Sequence, residues 1–298
     1  MAEPRTFGDR LAATFATRGH LCVGIDPHAW LLEAWGLPDD ATGLREFGLR
    51  VVEAAAGRIG IVKPQVAFFE RHGSAGFAAL ERVVGAARSA GLLVIADAKR
   101  GDLGSTVDAY GQAWLTPGSP LEADAMTVNA YQGVGTLAGP IALAREAGKG
   151  LLVLAATSNA EALPTQTAIL APGGSNGGRA GRTVAAGIVD EVIGLNTTTA
   201  PDAAASPTVG SFGVVIGATV DPARFGIPLE AMAVAPATPV LAPGFGHQGA
   251  EFSGLRERYG AVAPFVIASS SRDVLSAGPS GISEALLRQA EELASCLG

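Results

Sequence analysis

Asp97, Lys99 and Asp102 follow one another as D-x-K-x-x-D at the end of an apolar run. A lysine between two carboxylates at the end of a buried strand costs desolvation energy unless the charges compensate each other or face a ligand. The carboxylates would hold Lys99 in its ammonium form and make it a positioned general acid. On these residues alone, a buried salt bridge that fixes a loop is the competing account. Other polar residues end other apolar runs: Asp26, Lys63 followed by Pro64-Gln65, Asn129, and Thr157-Ser158-Asn159. A glycine-rich turn over 243–249 contains His247 and Gln248, and Ser271-Arg272 follows the last run. The N–H groups of such a turn can approach a phosphate, and an arginine beside it supplies charge. Glycines also make plain turns, so this motif is weak by itself.

These residues need a scaffold that brings strand ends together. Short, nearly continuous apolar runs predict strands over 21–26, 59–63, 92–97, 125–128, 151–155, 213–217, 239–242 and 264–268. Continuous rather than alternating runs suit a parallel sheet covered on both faces. Helix-like spacing of apolar and charged residues falls over 44–56, 76–90, 136–147, 181–195, 251–259 and 282–297. Thr42 and Ser283 are the expected caps of the first and last of these, and Gly91 the stop of the second. The expected fold is an α/β chain forming one (β/α)8 TIM-barrel domain over 1–298, with a doubly wound open sheet as the alternative. Barrel enzymes build their sites at the C-terminal strand ends, with phosphate often held after strands seven and eight. The polar residues above fall at those ends. Phe7–Arg18 reads as a surface helix, and the glycine-rich insert at 171–182 and the stretch 197–208 read as loops.

The bulk properties bound the function without naming it. The chain has 298 residues and is 48% hydrophobic, enough for a large core without staples. A net charge of −7 argues against nucleic acid or an anionic membrane as the main partner, but not against a small anion. Cys22 and Cys296 show no metal or redox spacing, so a reduced, cytoplasmic protein is the default expectation. No apolar run approaches the ~18 residues of a membrane helix. His28, His72 and His247 read as surface or packing residues, and Trp30, Trp35 and Trp114 as packing for the first loop and the third helix.

Asp97-Ala98-Lys99-Arg100-Gly101-Asp102-Leu103-Gly104-Ser105-Thr106 resembles the signature of the orotidine 5′-phosphate decarboxylase family. The long form is similar to the bacterial branch found in mycobacteria and their relatives. VGIDP at 23–27, VKPQ at 62–65, TVNAYQG at 127–133, PGFGHQG at 243–249 and SSRDVL at 270–275 extend the resemblance over most of the chain. The resemblance implies decarboxylation of orotidine 5′-monophosphate to uridine 5′-monophosphate in pyrimidine synthesis, with no metal and no cofactor. It implies an alternating charge network of Lys63, Asp97, Lys99 and Asp102, with Lys99 as proton donor. Asp26 would bind a ribose hydroxyl, Gln248 and Arg272 the 5′-phosphate with Ser271 beside them, and Ser158 the pyrimidine, with Thr157 as a rival. Asn129 would lie nearby. Asp102 and Thr106 would enter the partner's site in a homodimer.

Two rivals remain at this level. Sugar-phosphate relatives share the D-x-K-x-x-D cluster but use Mg²⁺ and a glutamate near the end of the second strand, where this chain has Lys63. A non-catalytic nucleotide binder on the same barrel is the other, and the intact charge cluster counts against it.

Overall fold

The computed structural model describes residues 6–173, 179–197, 208–247 and 249–297. Eight strands carry the fold: β1 Leu21–Ile25, β2 Ile61–Pro64, β3 Leu93–Arg100, β4 Ala125–Val128, β5 Gly150–Ala156, β6 Phe212–Ile216, β7 Val240–Pro243 and β8 Val266–Ser270. Each pairs in parallel with the next, and β8 returns to pair with β1. Closure removes the open-sheet alternative and leaves no edge strand.

Strand side chains alternate between two buried environments. Val23, Val62, Val94, Met126, Val214 and Val240 face the surrounding helices. Cys22, Ile61, Ile95, Ala125, Leu152 and Ile267 fill the lower barrel interior. Two residues further along that inward face stand Gly24, Lys63, Asp97, Thr127 and Ser269. The interior therefore turns from apolar to charged within one layer of side chains. That switch is why near-continuous apolar runs end in polar residues.

The helix Phe7–Arg18 is not a surface helix. Phe7 and Leu11 are fully buried and belong to the interior cluster, closing the N-terminal end of the barrel. An added Cβ at Gly150 would strike the Phe7 ring at 2.4 Å, so the plug seats directly on the start of β5. Thr6 caps the helix in a reciprocal box with Asp9. Around this closed end, Lys149 pairs with Glu122 at 2.7 Å, Arg88 with the same carboxylate at 2.6 Å, and Asp124 with Arg10. Asp124 also accepts the Val94 N–H at 2.8 Å. Charged groups at this end serve stability, since barrel chemistry sits at the other.

Several local expectations shift. Asp40, not Thr42, caps Ala41–Ala55, because its carboxylate reaches the Thr42 and Gly43 N–H groups at 2.8 and 2.9 Å. The last helix starts at Gly278, leaving Ser283 inside it. The helix expected over 181–195 is Val184–Thr197, and that over 251–259 divides into Phe252–Gly254 and Leu255–Tyr259. Gly91 does follow the end of Gly73–Ser89, at φ +76°. Trp35 and Trp114 are buried, and Trp30, 48% exposed, stacks on His28 in the first loop at 6.1 Å between ring centroids. Residues 174–178 of the insert and 198–207 of the second loop lie outside the described residues. The insert's ends are joined, since Leu170 N–H donates to the Arg182 carbonyl at 2.8 Å and Gly181 N–H to the Leu170 carbonyl at 3.0 Å.

The plug gives a direct test. Phe7→Ala should cost about 3–5 kcal/mol of unfolding free energy, the range for a buried phenylalanine. Urea denaturation measures it, and a cost below 1 kcal/mol would show that the helix contributes only surface.

Candidate active site

At the C-terminal end of the barrel, Asp97 sits between two ammonium groups. Lys63 Nζ lies 2.8 Å from Oδ2 and Lys99 Nζ 2.6 Å from Oδ1. The Thr127 hydroxyl also donates to Oδ1, at 2.9 Å. With its amide turned to donate to the Asp97 carbonyl at 2.7 Å, Gln65 accepts from Lys99 Nζ at 3.2 Å. Lys63 and Asp97 are 5% and 8% exposed, while the Lys99 side chain is 44% exposed. One ammonium is thus locked inside the wall and the other is held at its end and faces the cleft.

Burial alone would drive both inner groups toward neutrality. For Asp97, the ammonium groups of Lys63 and Lys99 outweigh burial and hold the carboxyl well below the usual carboxylate range. For Lys63, Asp97 and then Asp26 outweigh burial and hold the amine above the usual lysine range. Nearby, burial pushes the Cys22 thiol up to about 12, so it stays protonated.

The backbone is shaped to this arrangement. β3 runs on to Arg100, past its expected end at Asp97. Between Ala96 and Arg100 it advances four residues while β4 advances from Met126 to Val128. Such a bulge re-aims side chains beside a site. Within it Lys99 takes φ +48°, among the described residues the one non-glycine at positive φ. That region is strained for a residue with a Cβ.

Two cavities flank the charges. One, of about 250 Å³, is lined by Asp26, His28, Lys63, His247, Ser271 and Arg272. The other, of about 870 Å³, is lined by Lys99, Asn129, Tyr131, Thr157, Gln166 and Ile188 among others. Asp97 binds a lysine from each. On the first side, Ser271 Oγ donates to Asp26 Oδ2 at 2.6 Å, and Asp26 Oδ1 is buried without a hydrogen-bond partner. Among the described residues the Arg272 guanidinium has no carboxylate partner. An added Cβ at Gly246 would meet the Asp273 carboxylate at 1.9 Å, so the turn after β7 must carry glycine to lie against the helix Arg272–Leu275 that follows β8.

The structure gathers most of the residues singled out from sequence. Lys63, Asp97 and Lys99 form one network, and Asp26, Ser271 and Arg272 share one cavity. Asn129 borders the second cavity, its Oδ1 accepting the Tyr131 N–H at 3.0 Å. Thr157 lines that cavity with its hydroxyl engaged by Asn159 and Gln166 at 2.8 and 2.9 Å, while Ser158 is exposed beside it. Asp102 stands apart from Lys99 within the chain, accepting its neighbour Leu103's N–H at 2.9 Å. Thr106 is exposed in the first turn of Gly104–Leu115. Gln248 lies outside the described residues. His28 and His247, read as surface or packing groups, line the smaller cavity. His28 also packs edge-on against Phe68, at 4.3 Å between ring centroids. His72 lies 3.4 Å from Asp39, away from both cavities. Thr127 and Gln65 touch the charge network but drew no expectation of a role. The available signal was a lone hydroxyl inside the apolar strand β4.

Comparison with known proteins places this geometry. The profile described as orotidine 5′-phosphate decarboxylase / HUMPS family matches residues 19–279. The chain belongs to that family. It is 48% identical over 290 residues to an orotidine 5′-phosphate decarboxylase of Nocardioides sp., covering 97% of this chain and 99% of the relative. It is 48% identical over 274 residues to one of Salinispora tropica, covering 92% and 91%. A crystal structure from Streptomyces avermitilis assigned to the same enzyme superposes with a TM-score of 0.86 at 44% identity, covering 99% of this chain and 96% of that one. The barrel and its match to the family therefore agree over nearly the whole chain.

The network predicts a pH signature. A carboxyl depressed in the folded state adds stability that is present above its unfolded value and is lost as pH falls through the folded one. Asp97→Asn should therefore cost about 3–5 kcal/mol near neutral pH, the range for a broken buried pair. The deficit should narrow below about pH 4, the unfolded aspartate value. Denaturation of both proteins from pH 3 to 8 tests this. A deficit independent of pH would show that the charge on Asp97 is not what stabilises.

Proposed function

We propose that the chain decarboxylates orotidine 5′-monophosphate to uridine 5′-monophosphate, with Lys99 as proton donor and without metal or cofactor. The observation that carries this reading is the Lys99 ammonium, anchored on Asp97 and directed into the cleft. The names of the relatives support the substrate. Arg272 and the glycine-rich turn suit the 5′-phosphate, and the unsatisfied oxygen of Asp26 suits a ribose hydroxyl. The base would then lie over Lys99, toward the cavity bordered by Asn129 and Thr157, with Ser158 as a further contact.

In the reaction the bond from the ring carbon to its carboxylate breaks and CO2 leaves. The electron pair stays on the ring carbon, and Lys99 delivers its proton there. Charge developing on that carbon is stabilised by an ammonium fixed before the reaction begins. Asp97 would sit beside the departing carboxylate. Both of its oxygens are engaged by ammonium groups, so the arrangement offers a divalent cation no free carboxylate edge. The phosphate is remote from the reacting carbon, and its binding energy serves to hold the ring against Lys99 and to exclude water.

The same reading makes the enzyme a cytoplasmic homodimer. Asp102 and Thr106 project from a segment whose Leu103 is 58% exposed, and they would complete the charge network of the partner subunit. Among the described residues no helix is long and apolar enough to cross a membrane.

Loss of orotate absorbance on adding orotidine 5′-monophosphate tests the activity. Turnover should be unaffected by EDTA, and dependence on Mg²⁺ would favour a sugar-phosphate reaction instead. Lys99→Ala should abolish turnover while uridine 5′-monophosphate still binds. Near-normal turnover in that variant would remove Lys99 from the chemistry. Mixing inactive Lys99→Ala and Asp102→Asn proteins should restore partial activity through hybrid dimers carrying one intact site. No restoration would argue against a shared site.

A further inference from the structure

Thr127 is 1% exposed, and its hydroxyl does two things at once. It accepts the backbone N–H of Lys99 at 2.9 Å and donates to Asp97 Oδ1 at 2.9 Å. That oxygen is the one that holds Lys99 Nζ, at 2.6 Å. One hydroxyl therefore touches both ends of Lys99: the main chain directly, and the ammonium through its anchor.

The bulge in β3 makes this contact necessary. Lys99 lies in the stretch where β3 falls out of register with β4, and a part-buried N–H there still needs a partner. The side chain of β4 supplies the acceptor in the bulge. Lys99 also holds φ +48°, a conformation that persists only where its surroundings enforce it.

We infer that Thr127 is a positioning residue for the reaction, its hydroxyl coupling the strained backbone of Lys99 to the carboxylate that orients the Lys99 ammonium. The inference rests on Lys99 being the proton donor. Removing the hydroxyl while keeping the shape, as in Thr127→Val, leaves the Lys99 N–H and Asp97 Oδ1 each one bond short. The ammonium then loses its fixed aim, and small misplacements of a reacting group are expensive in rate. The phosphate and ribose groups lie in the other cavity and keep their geometry.

The test compares wild type, Thr127→Val and Thr127→Ser by steady-state kinetics on orotidine 5′-monophosphate, uridine 5′-monophosphate binding and thermal unfolding. Thr127→Val should lose about 10- to 100-fold in kcat, the range for a hydrogen bond to a charged group. Its KM and its affinity for uridine 5′-monophosphate should stay within about twofold of wild type, as expected when only a transition-state interaction is lost. Thr127→Ser keeps the hydroxyl and should retain kcat within about threefold, since the bonds it makes are unchanged. Unchanged kcat in Thr127→Val overturns the inference, as does a Thr127→Ser variant as slow as Thr127→Val. So does a loss carried by KM together with thermal stability, which would mark general disruption. A wild-type protein without turnover would instead overturn the decarboxylase reading on which the inference depends.

Discussion

A carboxylate with two ammonium groups on it organises the upper half of this barrel. Asp97, with Asp26 behind it, allows Lys63 to remain charged at 5% exposure, and with Gln65 it fixes the end of Lys99. Inside a wall of low dielectric, attraction between such groups is strong and their separation correspondingly costly. The unit is therefore retained or lost together. Around it β3 bulges, Lys99 takes a left-handed backbone, and β4 places the Thr127 hydroxyl against both.

The closed barrel makes that arrangement affordable. The inward face carries Ile61, Ile95 and Ala125 below Lys63, Asp97 and Thr127, so the charges rest on a packed apolar floor. Phe7 and Leu11 seal the floor from beneath. Side chains held by such packing do not need to reorganise as charge moves, which is the physical basis of electrostatic catalysis. Of the three groups in the network, Lys99 is the one directed outward, so that charge is already paired and oriented.

Much of this was legible in the sequence, for reasons that can be located. Near-continuous apolar runs betray parallel strands, and charges at their ends stand out because burial there needs compensation. Asp26, Lys63, Lys99 and Arg272 were found that way. Thr127 escaped because one hydroxyl in a four-residue strand has no pattern of its own, and its importance comes from a bulge in a neighbouring strand. The N-terminal helix misled because its apolar pieces are short and lie among charged residues, while whether Phe7 and Leu11 have anywhere to insert depends on the barrel being closed. Asp40 and Thr42 are both good caps two residues apart, and only the path of the chain decides between them. His28 and His247 carry no spacing that marks a site, since the cavity they border is made where the ends of β7, β8, β1 and β2 converge.

Asp102 follows from the same electrostatics at one remove. Within the chain its carboxylate turns away from Lys99 and accepts only its neighbour's N–H among the described residues. An aspartate so close in sequence to the network, yet outside it, costs nothing to solvate where it stands and gains nothing from Lys99. Beside it Leu103 is 58% exposed, and at the rim of the larger cavity Tyr131 is 84% exposed. In the proposed dimer these two exposed groups would be buried against the second subunit. That burial would also carry Asp102 into a neighbouring site, adding a second carboxylate to Lys99 from outside. The proton donor would then be held from both sides, by its own strand and by another molecule, and activity would require association.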